Sequence, residues 1–229
     1  LPIGVEDGFV GVIDLIEDKA LVWKDELGTE FSYHVIPDEL KEAAHDARTH
    51  LIEACADYDD ELMEAYLNEE AIPHERIAKS LHRATLDLKV TPILCGSAFK
   101  NKGVQPLLDA IVELLPSPLE VRPVKGYETS AKGDGEHGRE VERPADDDAP
   151  FAALAFKVMA DPYVGKLTYF RVYSGKLSAG SRVLNATNGK TERIGRLLMM
   201  HANHREEIDE CYAGDIVAGV GLKQTATGD

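Results

Sequence analysis

The spacing of apolar positions changes twice along this chain of 229 residues, and each change predicts a different kind of structure. Residues 9–15, 20–23 and 31–35 run apolar or alternate, with β-branched and aromatic members, which predicts three strands of a small antiparallel sheet. From Pro37 and Asp38 the period lengthens. Leu40, Ala44, Ala47, Leu51 and Ala54 recur every three or four residues and predict one apolar helical stripe, with Glu39, Glu42 and Asp46 facing outward. Leu62, Met63, Tyr66 and Leu67 predict a second helix, and Ile77, Leu81, Ala84 and Leu88 a third that opens after Pro73. Residues 1–89 therefore read as one α+β subdomain. Residues 90–95 then show a buried-strand pattern that runs into the small residues Gly96, Ser97 and Ala98. A helix follows, with Val104, Leu107, Leu108, Ile111 and Leu115 on its inward side. Pro106 is tolerated there because it falls in the first turn.

The pattern changes again after the Pro116-Ser117-Pro118 break. Residues 130–148 are rich in Gly, Asp, Glu and Arg with almost nothing apolar to bury, so 117–150 reads as an exposed, mobile linker. Beyond it, residues 154–159, 167–173, 182–185, 191–200 and 216–220 form short β-rich runs. Ser174-Gly175, Ala179-Gly180, Asn188-Gly189 and Ala213-Gly214 punctuate them. Asn188-Gly189 predicts a type I′ hairpin, since both residues accept positive φ. Closely spaced strands of this kind predict a closed barrel over 151–229, because closure removes exposed sheet edges.

Charge separates these regions more sharply than length does. The whole chain carries 25 basic and 41 acidic side chains, a formal charge of −16, yet residues 151–229 hold 10 basic against 8 acidic. That part is therefore +2, and residues 1–150 are −18. An acidic surface repels phosphates and suits a basic protein patch, whereas a mildly basic one can lie against an RNA backbone. No apolar run approaches the ~20 residues of a bilayer span, so no membrane association is expected and the location reads as cytoplasmic. Cys55, Cys95 and Cys211 are scattered without Cys-x-x-Cys spacing, which predicts reduced thiols. His201 and His204 lack further ligands nearby, so no metal site is expected. The pairs Asp59-Asp60 and Asp146-Asp147 read as surface or linker charge. No catalytic constellation is visible in the chain.

The strand–turn–helix at 90–115 is the one place with a ligand-binding layout. Open α/β sheets hold ligands beyond the carboxyl ends of their strands, and small side chains at 96–98 let backbone N–H groups approach a ring edge. The wording there, Cys95-Gly96-Ser97-Ala98-Phe99-Lys100-Asn101-Lys102-Gly103-Val104-Gln105, resembles the last guanine-contacting loop of the elongation factor G family of translational GTPases. Further phrases resemble the same family in its own order. Leu1-Pro2-Ile3-Gly4 with Gly11-Val12-Ile13-Asp14-Leu15 is similar to the segment after its guanine-specificity motif. Asp161-Pro162-Tyr163-Val164-Gly165-Lys166-Leu167 and Phe170-Arg171-Val172-Tyr173-Ser174-Gly175 are similar to the opening of its second domain. Met200-His201-Ala202-Asn203 and Tyr212-Ala213-Gly214-Asp215-Ile216 are similar to a later part.

The chain also departs from that family. A phosphate-cradling Gly-rich loop, a magnesium-binding aspartate before glycine and an Asn-Lys-x-Asp loop are all missing. Asn101-Lys102-Gly103-Val104 places a valine where a carboxylate would have to accept guanine N–H groups. Asp25-Glu26-Leu27-Gly28 reads as a chance match to Asp-x-x-Gly without nucleotide context. The chain is accordingly expected to be an internal piece of its protein, cut at both ends.

What the resemblance implies is an α/β GTP-binding-domain remnant with an α+β insert (1–89), then its last strand, guanine loop and helix (90–116). A linker (117–150) and an all-β translation-factor-type barrel (151–229), truncated at its C-terminal end, would follow. It implies a parent that binds and hydrolyses GTP with magnesium and drives translocation of transfer RNA and messenger RNA on the ribosome. A recycling or ribosome-protection paralogue, or a non-enzymatic ribosome-binding module, is the alternative. Ser97 and Ala98 would offer N–H groups to guanine O6, and Phe99 and Lys100 would form the pocket wall. Glu39, Glu42 and Asp46 would meet the stalk protein of the large ribosomal subunit. Arg182, Lys190, Arg193 and Arg196 are the candidates for small-subunit ribosomal RNA and protein. The piece alone is expected to hold no nucleotide or magnesium and to be inactive.

Overall fold

The first sheet is apolar on both faces because its strands alternate between two cores. In the computed structural model, which describes residues 1–128, 138–202 and 204–229, the chain divides into two units, Leu1–Leu115 and Pro116–Asp229. The N-terminal unit opens with an antiparallel sheet of β1 (Pro2–Ile3), β2 (Gly11–Asp14), β3 (Lys19–Trp23) and β4 (Phe31–His34), in that order. Ile13 and Ala20 join Ile3, Ile36 and Ala44 on one face; Val12, Leu21 and Trp23 join Phe9 on the other.

Three helices follow: α1 (Lys41–Ala56), α2 (Asp60–Leu67) and α3 (His74–Leu86). The buried positions of α1 are Ala44, Ile52, Cys55 and Ala56, so its inward face is turned slightly from the expected stripe. Arg48 is the reason. It sits on the inward face and its Nη1 donates to the carbonyls of Leu15 and, at 2.7 Å, Ile16, tying α1 to the β2–β3 turn. Leu88 and Leu67, expected inside, are exposed, because each lies at or beyond the end of its helix; Leu88 adopts φ +56°.

Asp59 is no surface charge. It caps α2 by accepting the Leu62 N–H at 3.2 Å, and it also receives the Ser80 hydroxyl and the Arg76 guanidinium from α3. Burial, the strongest influence on its carboxyl, pushes the pKa up. The bonds from Ser80 and Leu62 and the Arg76 charge outweigh it and hold Asp59 below the ordinary carboxylate range. Asp60 beside it is exposed.

The unit ends with α4 (Val104–Leu114), which packs Leu114 and Ala110 against the cluster of Ile52, Cys55, Leu62, Ile77 and Leu81. Two expectations are corrected here. Residues 90–95 form no strand, because no neighbouring chain supplies the ladder that defines one. The expected inward residues Leu107, Leu108, Ile111 and Leu115 are exposed, and Leu114 is buried instead.

In the C-terminal unit, part of the expected linker is ordered into a ribbon of β5 (Val124–Tyr127) and β6 (Glu140–Arg143), while residues 129–137 lie outside the described residues. Asp146 and Asp147 are fastened as well: Gly175 N–H donates to Asp146 O at 2.8 Å, and Ala213 N–H to Asp147 Oδ1 at 3.0 Å.

The β domain then runs β7 (Ala152–Asp161), β8 (Gly165–Ser174), β9 (Leu177–Ser178), β10 (Arg182–Asn185), β11 (Lys190–Arg193), β12 (Arg196–His201), β13 (His204–Ile208), β14 (Glu210–Cys211) and β15 (Ile216–Val220). A five-stranded antiparallel sheet, β13-β12-β15-β8-β7, and two ribbons, β10-β11 and β14-β9, surround a core of Ala155, Phe170, Val172, Leu177, Ile194, Leu197, Cys211, Val217 and Leu222. The run 191–200 is broken into β11 and β12 at Ile194 and Gly195, where Gly195 N–H bonds to Val220 O at 2.7 Å.

The Asn188-Gly189 turn is not type I′, since only Gly189 has positive φ, at +70°. Asn185 Oδ1 instead accepts the N–H groups of Thr187 and Asn188, stabilising a four-residue loop that needs a single left-handed residue. Among the described residues no helix is long and apolar enough to cross a membrane.

Candidate functional site

The loop after residue 95 is built by backbone proximity. Gly96 and Gly103 pass so close that a Cβ on Gly96 would lie 2.7 Å from Lys102 O, and one on Gly103 would lie 3.0 Å from Gly96 Cα. Only glycine fits both places. This crossing closes a noose: Ser97 N–H donates to Lys102 O at 2.7 Å, and Lys102 N–H returns to Ser97 O at 3.1 Å. Ala98–Lys100 make a 3-10 turn inside it, and Asn101 ends that turn at φ +52°. The Ser97 N–H is thus taken up within the loop. The N–H groups of Ala98 and Phe99, at the start of the turn, have no carbonyl inside it to bond. Ala98 is exposed, Lys100 is half-buried, and Phe99 stands 99% exposed.

Around this loop the surface is unusually apolar. Ile93 is 92% exposed and Val112 83%, and Leu94, Leu107, Leu108, Ile111 and Leu115 are exposed with them. A soluble surface does not ordinarily gather so many large apolar side chains on one strand-like segment and one helix.

The turn between β3 and β4 lies directly against the loop. Gln105 Nε2 donates to Gly28 O at 2.7 Å and Asn101 Nδ2 to Leu27 O at 3.3 Å. Asp25 fastens the turn, accepting the Thr29 hydroxyl at 2.6 Å and the N–H groups of Thr29 and Glu30. These bonds, Thr29's hydroxyl first, bring the Asp25 pKa down to about 2. The segment read as a chance Asp-x-x-Gly is therefore next to the candidate site. Sequence reading missed it because more than 70 residues separate the partners.

The remaining candidates are distributed as follows. Glu39, Glu42 and Asp46 are all exposed, Glu39 on a 3-10 turn and the other two one turn apart on α1. Arg182 and Arg193 oppose each other in the β10–β11 ribbon, and Lys190 pairs with Asn185, so the two-residue alternation puts Lys190 on the other face. Arg193 Nε donates to Gly180 O at 2.9 Å and Lys190 Nζ to Gln224 Oε1 at 2.6 Å. Arg196 opens β12 and is exposed.

His201 and His204 face each other at the tip of β12–β13; Asn203 between them lies outside the described residues. Among the described residues no cluster of three His, Cys, Asp or Glu side chains is placed to hold a metal. Cys55 and Cys211 are buried free thiols whose burial pushes them up to about 11 and about 12, and Cys95 is exposed.

Comparison with known proteins adds to this geometry. The chain superposes over its full length on a crystal structure of a Thermus thermophilus protein, with a TM-score of 0.73 and 29% sequence identity. It spans about 30% of the length of that protein. The family model described as Elongation factor Tu domain 2 matches residues 165–229, the stretch from the start of β8 to the last residue. Residues 165–229 of the C-terminal unit are therefore similar to the elongation factor Tu domain 2 family.

Proposed function

We propose that the chain is part of a translational GTPase of the elongation factor G kind, in which the 97–102 loop forms one rim of the guanine pocket. The observation that carries this reading is the apolar flank of residues 93–115 beside the loop. A lone extended segment and a helix with apolar sides outward are what the end of an α/β sheet leaves when its other strands lie elsewhere in a longer protein. The domain match at 165–229 and the small share of the Thermus protein that is covered support it.

The N–H groups of Ala98 and Phe99, left without an acceptor in the turn, would donate to guanine O6. Adenine carries an amino group at that place and would set donor against donor, leaving buried polar groups unpaired. Phe99 and Lys100 would wall the base. Guanine nucleotide and magnesium are expected in the parent, the magnesium neutralising phosphate charge, with its ligands outside the residues named here.

The ribosome is the proposed partner. The acidic face of Glu39, Glu42 and Asp46 would be steered to a basic stalk protein, and Arg182 and Arg193 would meet ribosomal RNA phosphate. The parent would work in the cytoplasm and couple GTP hydrolysis to translocation.

The test is nucleotide binding and turnover by the full-length protein. GDP is expected to bind about 100-fold more tightly than ADP or better, about 2.7 kcal/mol of discrimination, and ribosomes are expected to raise GTP turnover. Equal affinity for GDP and ADP would sink the reading. Ribosome stimulation without translocation activity would instead favour a recycling or ribosome-protection paralogue.

A further inference from the structure

The base loop is held from outside, and we propose that Gln105 and the Gly28 turn are positioning residues for base selection at that loop, a role that rests on the guanine-nucleotide reading above. The noose of 97–102 is closed by its own bonds, but those bonds leave it free to tilt as one body. Gln105 and Asn101 remove that freedom by bonding across to Gly28 and Leu27. Gly28 O is solely an acceptor, so it fixes the Gln105 amide with Nε2 toward it. Oε1 is then turned to a place where it is buried with no hydrogen-bond partner. A buried acceptor without a donor is costly, which makes the bond to Gly28 the reason for this orientation.

The two backbones also meet with no space between them. At φ +68°, Gly28 would carry a Cβ only 2.5 Å from Lys100 O and 2.8 Å from Asn101 Cβ. Every larger residue there would push the loop outward. Asp25 keeps the turn itself from yielding, through three donors on one carboxylate. The sheet of the N-terminal unit thus sets the position of the Ala98 and Phe99 N–H groups. Selection of an acceptor over an amino group depends on that position, because a donor displaced from its acceptor loses the bond steeply with distance and angle.

The experiment measures GDP and ADP affinity of the full-length protein by competition against fluorescently labelled GDP. Gln105→Ala is expected to weaken GDP about threefold to tenfold, the loss of one hydrogen bond, with ADP affinity unchanged, so that the GDP-to-ADP preference falls by the same factor. Gln105→Met keeps the length and bulk and removes the N–H that Gly28 O accepts. A packing role would make it harmless, whereas positioning through the N–H makes it as damaging as alanine. Gly28→Ala should act in the same direction more strongly. An unchanged GDP-to-ADP preference in both Gln105 variants would overturn the proposal while leaving guanine binding intact. A wild-type protein with no preference for GDP would overturn the guanine reading itself, and this role with it.

Discussion

The two units treat their apolar side chains differently. In the C-terminal unit, Val172, Leu197 and Val217 are at most 1% exposed, and the last residues of the chain close onto β7 through Ala155, with bonds of 2.7 and 2.8 Å to Gly228 and Asp229. In the N-terminal unit, Leu62 and Ile77 are as deeply buried, yet α4, which packs on their cluster through Leu114, presents Leu108, Ile111 and Val112 to solvent. The C-terminal unit leaves Leu119, Tyr163, Leu184 and Ile216 exposed at separate places along its sequence; the N-terminal unit concentrates its uncovered apolar side chains along 93–115. Burial is therefore a property of available partners rather than of the residue, and an apolar stripe predicts an interface before it predicts which molecule or segment supplies the other side.

That contrast can be broken by mutation. The largest effect is expected for Leu197→Ala, a fully buried residue of the β-domain core, which should cost about 3 kcal/mol in chemical denaturation followed on the C-terminal unit. Asp59→Ala comes next, at about 2 kcal/mol on the N-terminal unit, since it removes the α2 cap and leaves Arg76 without its buried partner. The same residue gives a pH dependence. Its folded pKa is lowered, so its contribution is present above the ordinary carboxylate range and disappears as pH falls through the lowered value; acid should loosen the N-terminal helices. Protection of α2 amides that is unaltered on acidification would contradict this.

Lysine at all three of Glu39, Glu42 and Asp46 should slow ribosome-stimulated turnover of the full protein about threefold to tenfold, without changing GDP affinity. Thiol chemistry separates exposed from enclosed sites: iodoacetamide at neutral pH should label Cys95 and spare Cys55 and Cys211. Because burial raises those two thiols, to about 11 and about 12, their stabilising effect is complete below their unfolded value and is lost as pH rises through the folded ones, so both units should weaken in alkali. The smallest effect is expected for Val112→Ser on α4, within about 0.5 kcal/mol, because the residue is 83% exposed.

How much of this was legible in the sequence depended on how local the cause was. The three strands before residue 36 and the three helices after it follow from period alone, because each element carries its own amphipathic signal. The inward face of α1 did not, since a helical stripe drawn from apolar residues omits Arg48, which turns inward to reach main-chain carbonyls. Residues 90–95 have strand composition but no ladder, and pairing cannot be read from one segment. The β5–β6 ribbon and β13 were missed for the opposite reason: Glu140 to Arg143 and His204 to Ile208 are polar, and their pairing is visible only with the partner strand in place. At the candidate site, the wording of 95–105 was enough to find the loop. Its strap at 25–30 was invisible, because a contact spanning 77 residues leaves no periodic mark.

Arg48 has one more consequence. Its guanidinium holds the carbonyls of Leu15 and Ile16, groups that every amino acid possesses, so this tie does not depend on the side chains at 15 and 16, which add their own packing against the clusters of Ala44 and Ile52. The orientation of the acidic face on α1 thus leans on one guanidinium nitrogen shared between two main-chain carbonyls. Lysine would keep the charge but place it on a flexible stem, without the planar group that fixes the direction of that donor.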